Sequence, residues 1–598
     1  MSYFLVLSKC HGDSVLSQYQ RLRDDQRMCD IVLETRGVQF PAHRSLLACA
    51  SDYFWALLKD HTRESRDTLQ GPLTLSLPAL TPTGLERLLD FVYSSWLCLS
   101  PSTLEETLEA ARYLQVSGAV DLCARYIADN LAPESCCFFA NVAARYGLSG
   151  ALKAAEAYIA RHMRELLGGG DGDGERAGLM ELNLGSLREC LGAEDVPGVR
   201  ESELLGLALD WLDRNRLPAL QSNLLLSHVR FGLVAPRELT RLTAERPALR
   251  TPFIGGLVDK ALQYHAQGPL QPLLQSAHTR IRAAAGGDGH TLLVGGGPEA
   301  DRPQRLVQSF DPETRKFRTL ATQLPGRLQH HCVCVLGGFL FVLGGEEVET
   351  DGESEKTAVM TVSGRAWRYD PRFRRWDEAE PMIQRRARFA CCVLDGVIYA
   401  VGGRAEPGEP PLSTAERYNL RAGCWRKSAG LPHAVHGQAC AVLGRRVYIS
   451  GGIHGEAVES SKDVLCLDVS EGRAWEKRAA MSVARFGHQM AAVGGRIYAF
   501  LGMYEQFCDI ERYDPELDQW TRLRPLLNDR FCYGLSATPD GRVLLFGGRK
   551  WHDGQEVVMS NVMEYDTESD TWRELCRMPG PLCGTQCVQL PILDTPET

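Results

Sequence analysis

The 598-residue chain has no Cys-x-x-Cys pair, no Gly-x-Ser-x-Gly elbow, and no Gly-Lys-Ser/Thr after a glycine-rich turn. These absences exclude, in turn, a zinc ribbon, an α/β-hydrolase nucleophile and a phosphate-binding loop. Gly168 to Gly174 is rich in glycine but runs on into Glu175 and Arg176, so it reads as a flexible surface insertion. Basic clusters are missing too. With a formal net charge of -9 there is no stripe of lysine and arginine to neutralise phosphates, and nucleic acid is excluded as a partner. The apolar run Tyr3 to Leu7 is far too short for a signal peptide, and no later run approaches the roughly 20 residues of a membrane span. The expected compartment is the cytosol, with the nucleus as the second choice.

Twenty cysteines are present, but the only close sets are Cys136-Cys137, Cys391-Cys392 and Cys332-Val333-Cys334. Scattered in this way they read as small buried hydrophobes kept reduced. His433 and His436 come nearest to a metal pair, and no cysteine or carboxylate cluster accompanies them. Neither a metal nor another cofactor is expected.

The second half of the chain is a repeat. A glycine pair recurs at Gly295-Gly296, Gly344-Gly345, Gly402-Gly403, Gly451-Gly452, as Leu501-Gly502, and at Gly547-Gly548, with steps of 49, 58, 49, 50 and 46 residues. A period of about 50 is that of a four-stranded propeller blade. An aromatic pair seven residues apart follows most of the glycine pairs: Phe310 and Phe317, Tyr369 and Trp376, Tyr418 and Trp425, Tyr513 and Trp520, Tyr565 and Trp572. In the fourth unit Leu467 and Trp475 stand in their place, one residue further apart. Glycine at the end of the second strand lets neighbouring backbone approach, and the rings fill the wedge between blades. The first unit lacks a first strand, whereas a surplus run, Gln586 to Leu590, follows the last. If that run fills the empty place, the ring closes without an exposed sheet edge. The one long step, 58 residues, contains the acidic run Glu346, Glu347, Glu349, Asp351, Glu353 and Glu355, expected as a solvated loop inserted in the second blade or an acidic rim for a basic partner.

Nearer the start, Asp13 reads as a cap for a helix over Ser14 to Arg23, with Val15, Leu16, Tyr19 and Leu22 as its apolar stripe. A strand at Cys29 to Glu34 follows, then Phe40-Pro41-Ala42-His43-Arg44-Ser45-Leu46-Leu47-Ala48, Ser51-Asp52-Tyr53-Phe54, and a helix at Leu88 to Tyr93. From Leu131 the pattern is helical, with Pro133 in a first turn and Phe138, Val142 and Tyr146 at steps of four. Gly268 to Gly289 reads as a linker. The expected architecture is an α+β domain at 1-130, an all-α domain at 131-267, the linker at 268-289, and an all-β six-bladed propeller at 290-598.

These motifs, in this order, resemble the kelch-like family, in which a BTB (POZ) domain, a BACK domain and Kelch repeats follow one another. The resemblance implies a non-catalytic substrate adaptor of a cullin-3 RING ubiquitin ligase, with the propeller holding the target protein; the alternative is a dimeric scaffold binding actin or other cytoskeletal proteins. It also implies a homodimer through the first helix, so that the stripe Val15, Leu16, Tyr19 and Leu22 is either internal core or an isologous contact. For cullin-3 it points to Phe54, Leu58, Thr62, Glu64, Cys136 and Phe139. Thr62-Arg63-Glu64 stands where the family carries hydrophobic-x-Glu, and threonine offers about 1 to 2 kcal/mol less on burial than the usual methionine or phenylalanine. For the target it points to side chains before each innermost strand: His330, Arg386, Arg388, His436, Arg485 and Arg530. Taken as a ring they favour an acidic or phosphorylated peptide. Any single arginine among them has a second reading as an internal partner of a blade carboxylate.

Overall fold

The computed structural model describes residues 11–64, 72–168, 174–282, 290–299, 302–349, 359–455, 459–469, 474–502, 510–526, 530–538, 540–552 and 555–591. It divides into two compact units, one of residues up to 197 with 210–217, the other of 198–209 with everything from 218 onward.

The first unit opens with α1 (His11–Asp24), which buries none of its residues. Asp13 lies inside its first turn and not ahead of it, so the helix is longer than the cap signal predicts. Strand β1 (Ile31–Thr35) pairs antiparallel with β2 (Val38–Ala42) and parallel with β3 (Leu73–Ser76). Alternate residues Ile31 and Leu33 are fully buried, as a sheet covered on one face requires. Onto that face pack α2 (Arg44–Ala50), α3 (Asp52–Glu64) and α4 (Pro82–Ser94), through Leu47, Phe54, Leu58, Leu85, Leu88 and Leu89. His43 is structural: its Nδ1 lies 2.8 Å from the Tyr93 hydroxyl, which also accepts the His43 N–H. A second core forms where α5 (Pro101–Tyr113), α6 (Ser117–Asp129) and α7 (Cys136–Arg145) bring together Leu104, Leu108, Ile127, Phe139 and Val142.

In the second unit six four-stranded antiparallel sheets make the propeller. Blade 3 shows the plan, with Ala390–Leu394, Val397–Val401, Ala415–Asn419 and Cys424–Ser428 paired in sequence order. The paired aromatics sit directly opposite each other on third and fourth strands, as Tyr369 against Trp376, Tyr418 against Trp425 and Tyr565 against Trp572, with ring centroids 4.9, 5.2 and 4.9 Å apart. The Trp425 indole N–H reaches back to the Glu380 carbonyl of blade 2 (2.8 Å), Trp475 to Ala429 of blade 3 (2.9 Å) and Trp520 to Ala479 of blade 4 (2.9 Å). Each tryptophan thus ties its blade to the one before.

The ring closes as the surplus run suggests. Gln586–Gln589 pairs with Thr291–Val294 and so supplies the first strand of blade 1 from the far end of the chain. The first residues of the segment expected as a linker have a fixed place. Gly268–Leu273 forms a 3-10 turn, and Arg368 of blade 2 donates to the Gly268 carbonyl. Arg372 pairs with Asp370 (2.7 Å), lies over the Phe339 ring (4.0 Å) and hydrogen-bonds the Tyr264 hydroxyl at the end of the helix Pro252–Ala266. Those last helical turns and blade 2 therefore form one packed body. Among the described residues no helix is long and apolar enough to cross a membrane.

Candidate functional site

A cavity of about 890 Å³ lies at the propeller axis, lined by the first strands and the turns that lead into them. Its rim is built by a repeated main-chain device. His330, Arg388, Gly437, Gly487, Cys532 and Gly584 hold the same place ahead of their first strands, and all have φ between 52° and 70°. Arg388 N–H donates to His330 O (3.0 Å), Gly437 to Arg388 (2.8 Å), Gly487 to Gly437 (2.9 Å) and Gly584 to Cys532 (2.8 Å), so the position is stitched from blade to blade. Of the residues that follow the glycine pairs, Arg404, Ile453 and Arg549 line the same cavity. A Cβ on Gly403 would lie 2.7 Å from the Ala387 carbonyl, and only the bare glycine lets Arg404 bridge to Ala387, next to Arg388.

The six side chains expected to meet the target separate into two groups. His330, Arg388 and His436 line the cavity. Arg386, Arg485 and Arg530 do not; they lie two residues before the left-handed position, and their side chains turn into the blades. Arg386 is fully buried, with Nη2 2.8 Å from Glu416, Nη1 2.8 Å from Gly402 O and 2.9 Å from Thr414 O. Glu416 also accepts the main-chain N–H groups of Ile383 (2.7 Å) and Gln384 (3.1 Å). Arg485 repeats the motif on Glu511 (3.0 Å) and Leu501 O (2.8 Å). Arg530 bonds Gly547 O and Asn561 Oδ1 at 3.2 Å each. The ring of four arginines expected at the surface is thus corrected to one, Arg388, because three are internal clamps.

Sequence reasoning passed over Arg404, Arg549, Phe486 and Phe531, all of which line the cavity. The first two follow glycine pairs, a signal available in the repeat itself. Arg388 is paired with Glu346 (3.2 Å), and Arg549 with Glu556 (2.7 Å) and the Cys532 thiol (3.3 Å). Glu346 lies on a strand, Glu346–Glu349, and is itself buried, so the acidic run begins as part of the rim; Asp351, Glu353 and Glu355 lie outside the described residues. Burial holds the imidazoles neutral. His330 is held well below the usual histidine range by burial and then by Arg388, and His436 is pushed down to about 4 by burial, then by Arg404 and Arg388.

The residues implied for cullin-3 need a matching correction. Phe54 and Leu58 lie in the first-domain core and Phe139 in the helical core, and Cys136 is buried as well, each under 5% exposed. A stripe at i, i+4 is what a helix turns inward, so it marked the buried face. The outward apolar residues of the same helices are Trp55, 59% exposed, and Phe138, 39% exposed, with Tyr113 at the end of α5 at 44%. The Thr62 and Glu64 side chains lie outside the described residues. On α1, Val15 is exposed, Leu16 and Leu22 are half-buried, and Tyr19 turns its ring edge-on to His43 at 5.2 Å.

Comparison with known proteins accords with this layout. The BTB/POZ domain family matches residues 19–131, the BACK (BTB And C-terminal Kelch) family 136–244, and the KLHDC2/KLHL20/DRC7 Kelch-repeats domain 388–588. The chain is 44% identical to Kelch-like protein 34 of Homo sapiens, over 99% of this chain and 97% of that one. It is 31% identical to Kelch-like protein 36 of Bos taurus, over 97% and 92% of the two chains, and 29% identical to Kelch-like protein 26 of Danio rerio, over 97% and 93%. Domain order, blade markers and full-length similarity agree, and the chain belongs to the kelch-like family of BTB-BACK-Kelch proteins.

Proposed function

We propose that this protein is a substrate-recognition adaptor of a cullin-3 RING ubiquitin ligase: its BTB and BACK portions hold cullin-3, and its propeller holds the protein to be ubiquitinated and degraded. Family members are typically adaptors of this kind. The chain itself is non-catalytic; the RING partner supplies the chemistry and the adaptor supplies proximity, with effective concentrations that reach roughly millimolar. Homodimerisation through α1 and its neighbouring strand presents two propellers to one target. The target segment is an acidic or phosphorylated peptide seated against His330, Arg388 and His436.

One observation carries the reading of the propeller. His330 and Arg388 keep side chains on the cavity rim at φ of 53° and 52°, where three other blades use glycine. A side chain retained against that cost, about 1 to 2 kcal/mol, marks a position held for what it contacts. On the cullin side the exposed Trp55, Tyr113 and Phe138 replace the buried residues first expected.

The test is the affinity of the full-length protein for the N-terminal domain of cullin-3, beside Glu64→Ala and Trp55→Asp variants. The expected result is sub-micromolar binding that falls at least tenfold in the variants. Binding weaker than about 10 μM throughout, with Thr62 in the family's hydrophobic place, would favour the cytoskeletal scaffold.

A further inference from the structure

The cavity wall between blades 3 and 4 holds a polar group that the fold does not use. His436 is 2% exposed and lines the cavity, yet no described protein group hydrogen-bonds either ring nitrogen. The Phe486 ring, its centroid 5.4 Å from that of the imidazole and nearly perpendicular to it, packs against His436 without supplying a hydrogen-bond partner. Buried polar groups are almost always satisfied, so an imidazole with both nitrogens unspent is set for something that enters the cavity.

Arg404 stands beside it. Its main chain is bridged to Ala387, and the Arg388 carbonyl accepts from Gly437, which adjoins His436. The three side chains therefore spring from one stitched stretch of rim. Among the described residues the Arg404 Nε is buried without a hydrogen-bond partner and no carboxylate forms an ion pair with the side chain. Its charge is disfavoured first by burial and then by Arg388, and Glu346 offsets this only from a distance.

Charge decides which anion fits. Arg388 is matched by Glu346 and Arg549 by Glu556, so among the described lining residues Arg404 alone brings an unmatched positive charge. A dianionic phosphate would place a second negative charge in the field of Glu346, which already acts on Arg404. A carboxylate brings one, lies flat in a guanidinium fork and leaves an oxygen for a neutral imidazole N–H. We infer that Arg404 and His436 form a receptor for a single peptide carboxylate, from an aspartate or glutamate side chain or from a C-terminus, and that the cavity selects it over phosphate. This rests on the reading of the cavity as the target site.

The test offers the full-length protein four pools of random-sequence nonapeptides: free C-terminus without acidic residues; amidated with one Asp or Glu; amidated and free of carboxylates; and the last with one phosphoserine. The expected result is at least tenfold preferential capture of the first or second pool, the pool identifying the source. Arg404→Met and His436→Phe, checked for an unchanged melting temperature, should erase that preference, and Arg404→Lys, which keeps the charge but not the fork, should weaken it. Equal capture of the carboxylate-free pool, a preference for phosphoserine, or an unaltered preference in both Arg404 variants would overturn the inference while leaving the cavity as a peptide site. Capture of no pool would overturn both.

Discussion

Replacing Arg386 by alanine separates the two roles that an arginine near the cavity can have. In the folded protein its guanidinium makes hydrogen bonds to Glu416, Gly402 O, Thr414 O and Thr414 Oγ1, all between 2.8 and 3.1 Å, in a site with no solvent access. Removal leaves Glu416, 2% exposed, with only the N–H groups of Ile383 and Gln384. Breaking one side of a buried pair costs about 3 to 5 kcal/mol, because an uncompensated charge stays inside. For a body of this size that is about 2 °C per kcal/mol, or about 6 to 10 °C in melting temperature. The assay is calorimetric unfolding of Arg386→Ala, Glu416→Gln and the double variant. The double should be more stable than the Arg386 single, since the stranded charge is gone. Arg388→Ala, taken from a side chain 37% exposed, should melt within about 2 °C of the parent. An Arg386→Ala protein as stable as the parent would refute the clamp and return Arg386 to the candidates for target contact.

Deleting residues 585–598 removes the strand that pairs with Thr291–Val294, and the propeller should lose its cooperative melting transition and become sensitive to limited proteolysis. Among tryptophan-to-phenylalanine changes, Trp425, Trp475 and Trp520 should each cost about 1 kcal/mol more than Trp376, whose indole nitrogen has no hydrogen-bond partner among the described residues; urea unfolding of the four variants checks the ranking. Burial pushes His331 down to about 4 and His488 to about 3, below the roughly 6.5 of an unfolded histidine, so unfolding takes up protons. Their contribution is complete above about pH 6.5 and declines toward pH 4, by at most about 1.4 kcal/mol per pH unit each, and His331→Gln with His488→Gln should flatten the dependence of melting temperature on pH across that window. At the left-handed rim position, Gly487→Ala meets nothing within 4 Å and should still cost about 1 to 2 kcal/mol, whereas Cys532→Gly at the matching place should leave stability unchanged or higher by up to about 1 kcal/mol in the same unfolding assay.

The propeller was legible because six blades solve one packing problem six times. The glycine pairs and the Tyr-Trp pairs are answers to close backbone approach and to the wedge between sheets, and both recur wherever those constraints do. The site was less legible because it depends on phase. Arg386 and Arg388 are two residues apart, but the chain passes through a left-handed turn at Arg388, and the first goes into the blade while the second meets the cavity. Spacing from the strand does not encode that turn. In α3, Phe54 and Leu58 look like a docking stripe until the sheet beneath the helix is known; then Trp55 is the residue left outside.

Aligning the blades by backbone and not by residue type recovers much of this. At the left-handed position three blades carry glycine, the residue that costs least there, and three carry His330, Arg388 and Cys532. Each of the three lines the cavity, and each is joined by a neighbour from behind a glycine pair, Glu346 for the first two and Arg549 for the third. A repeat protein can let one copy drift only where the shared packing does not depend on it. The departures from glycine lie on the cavity and not between the blades, so they cannot be packing requirements of the ring. They fall in the adjacent blades 2 and 3 and, across the ring, in blade 6, with glycine in blades 4, 5 and 1. A bound peptide carboxylate would then lie off the axis, over blades 3 and 4, where Arg388, Arg404 and His436 line the cavity.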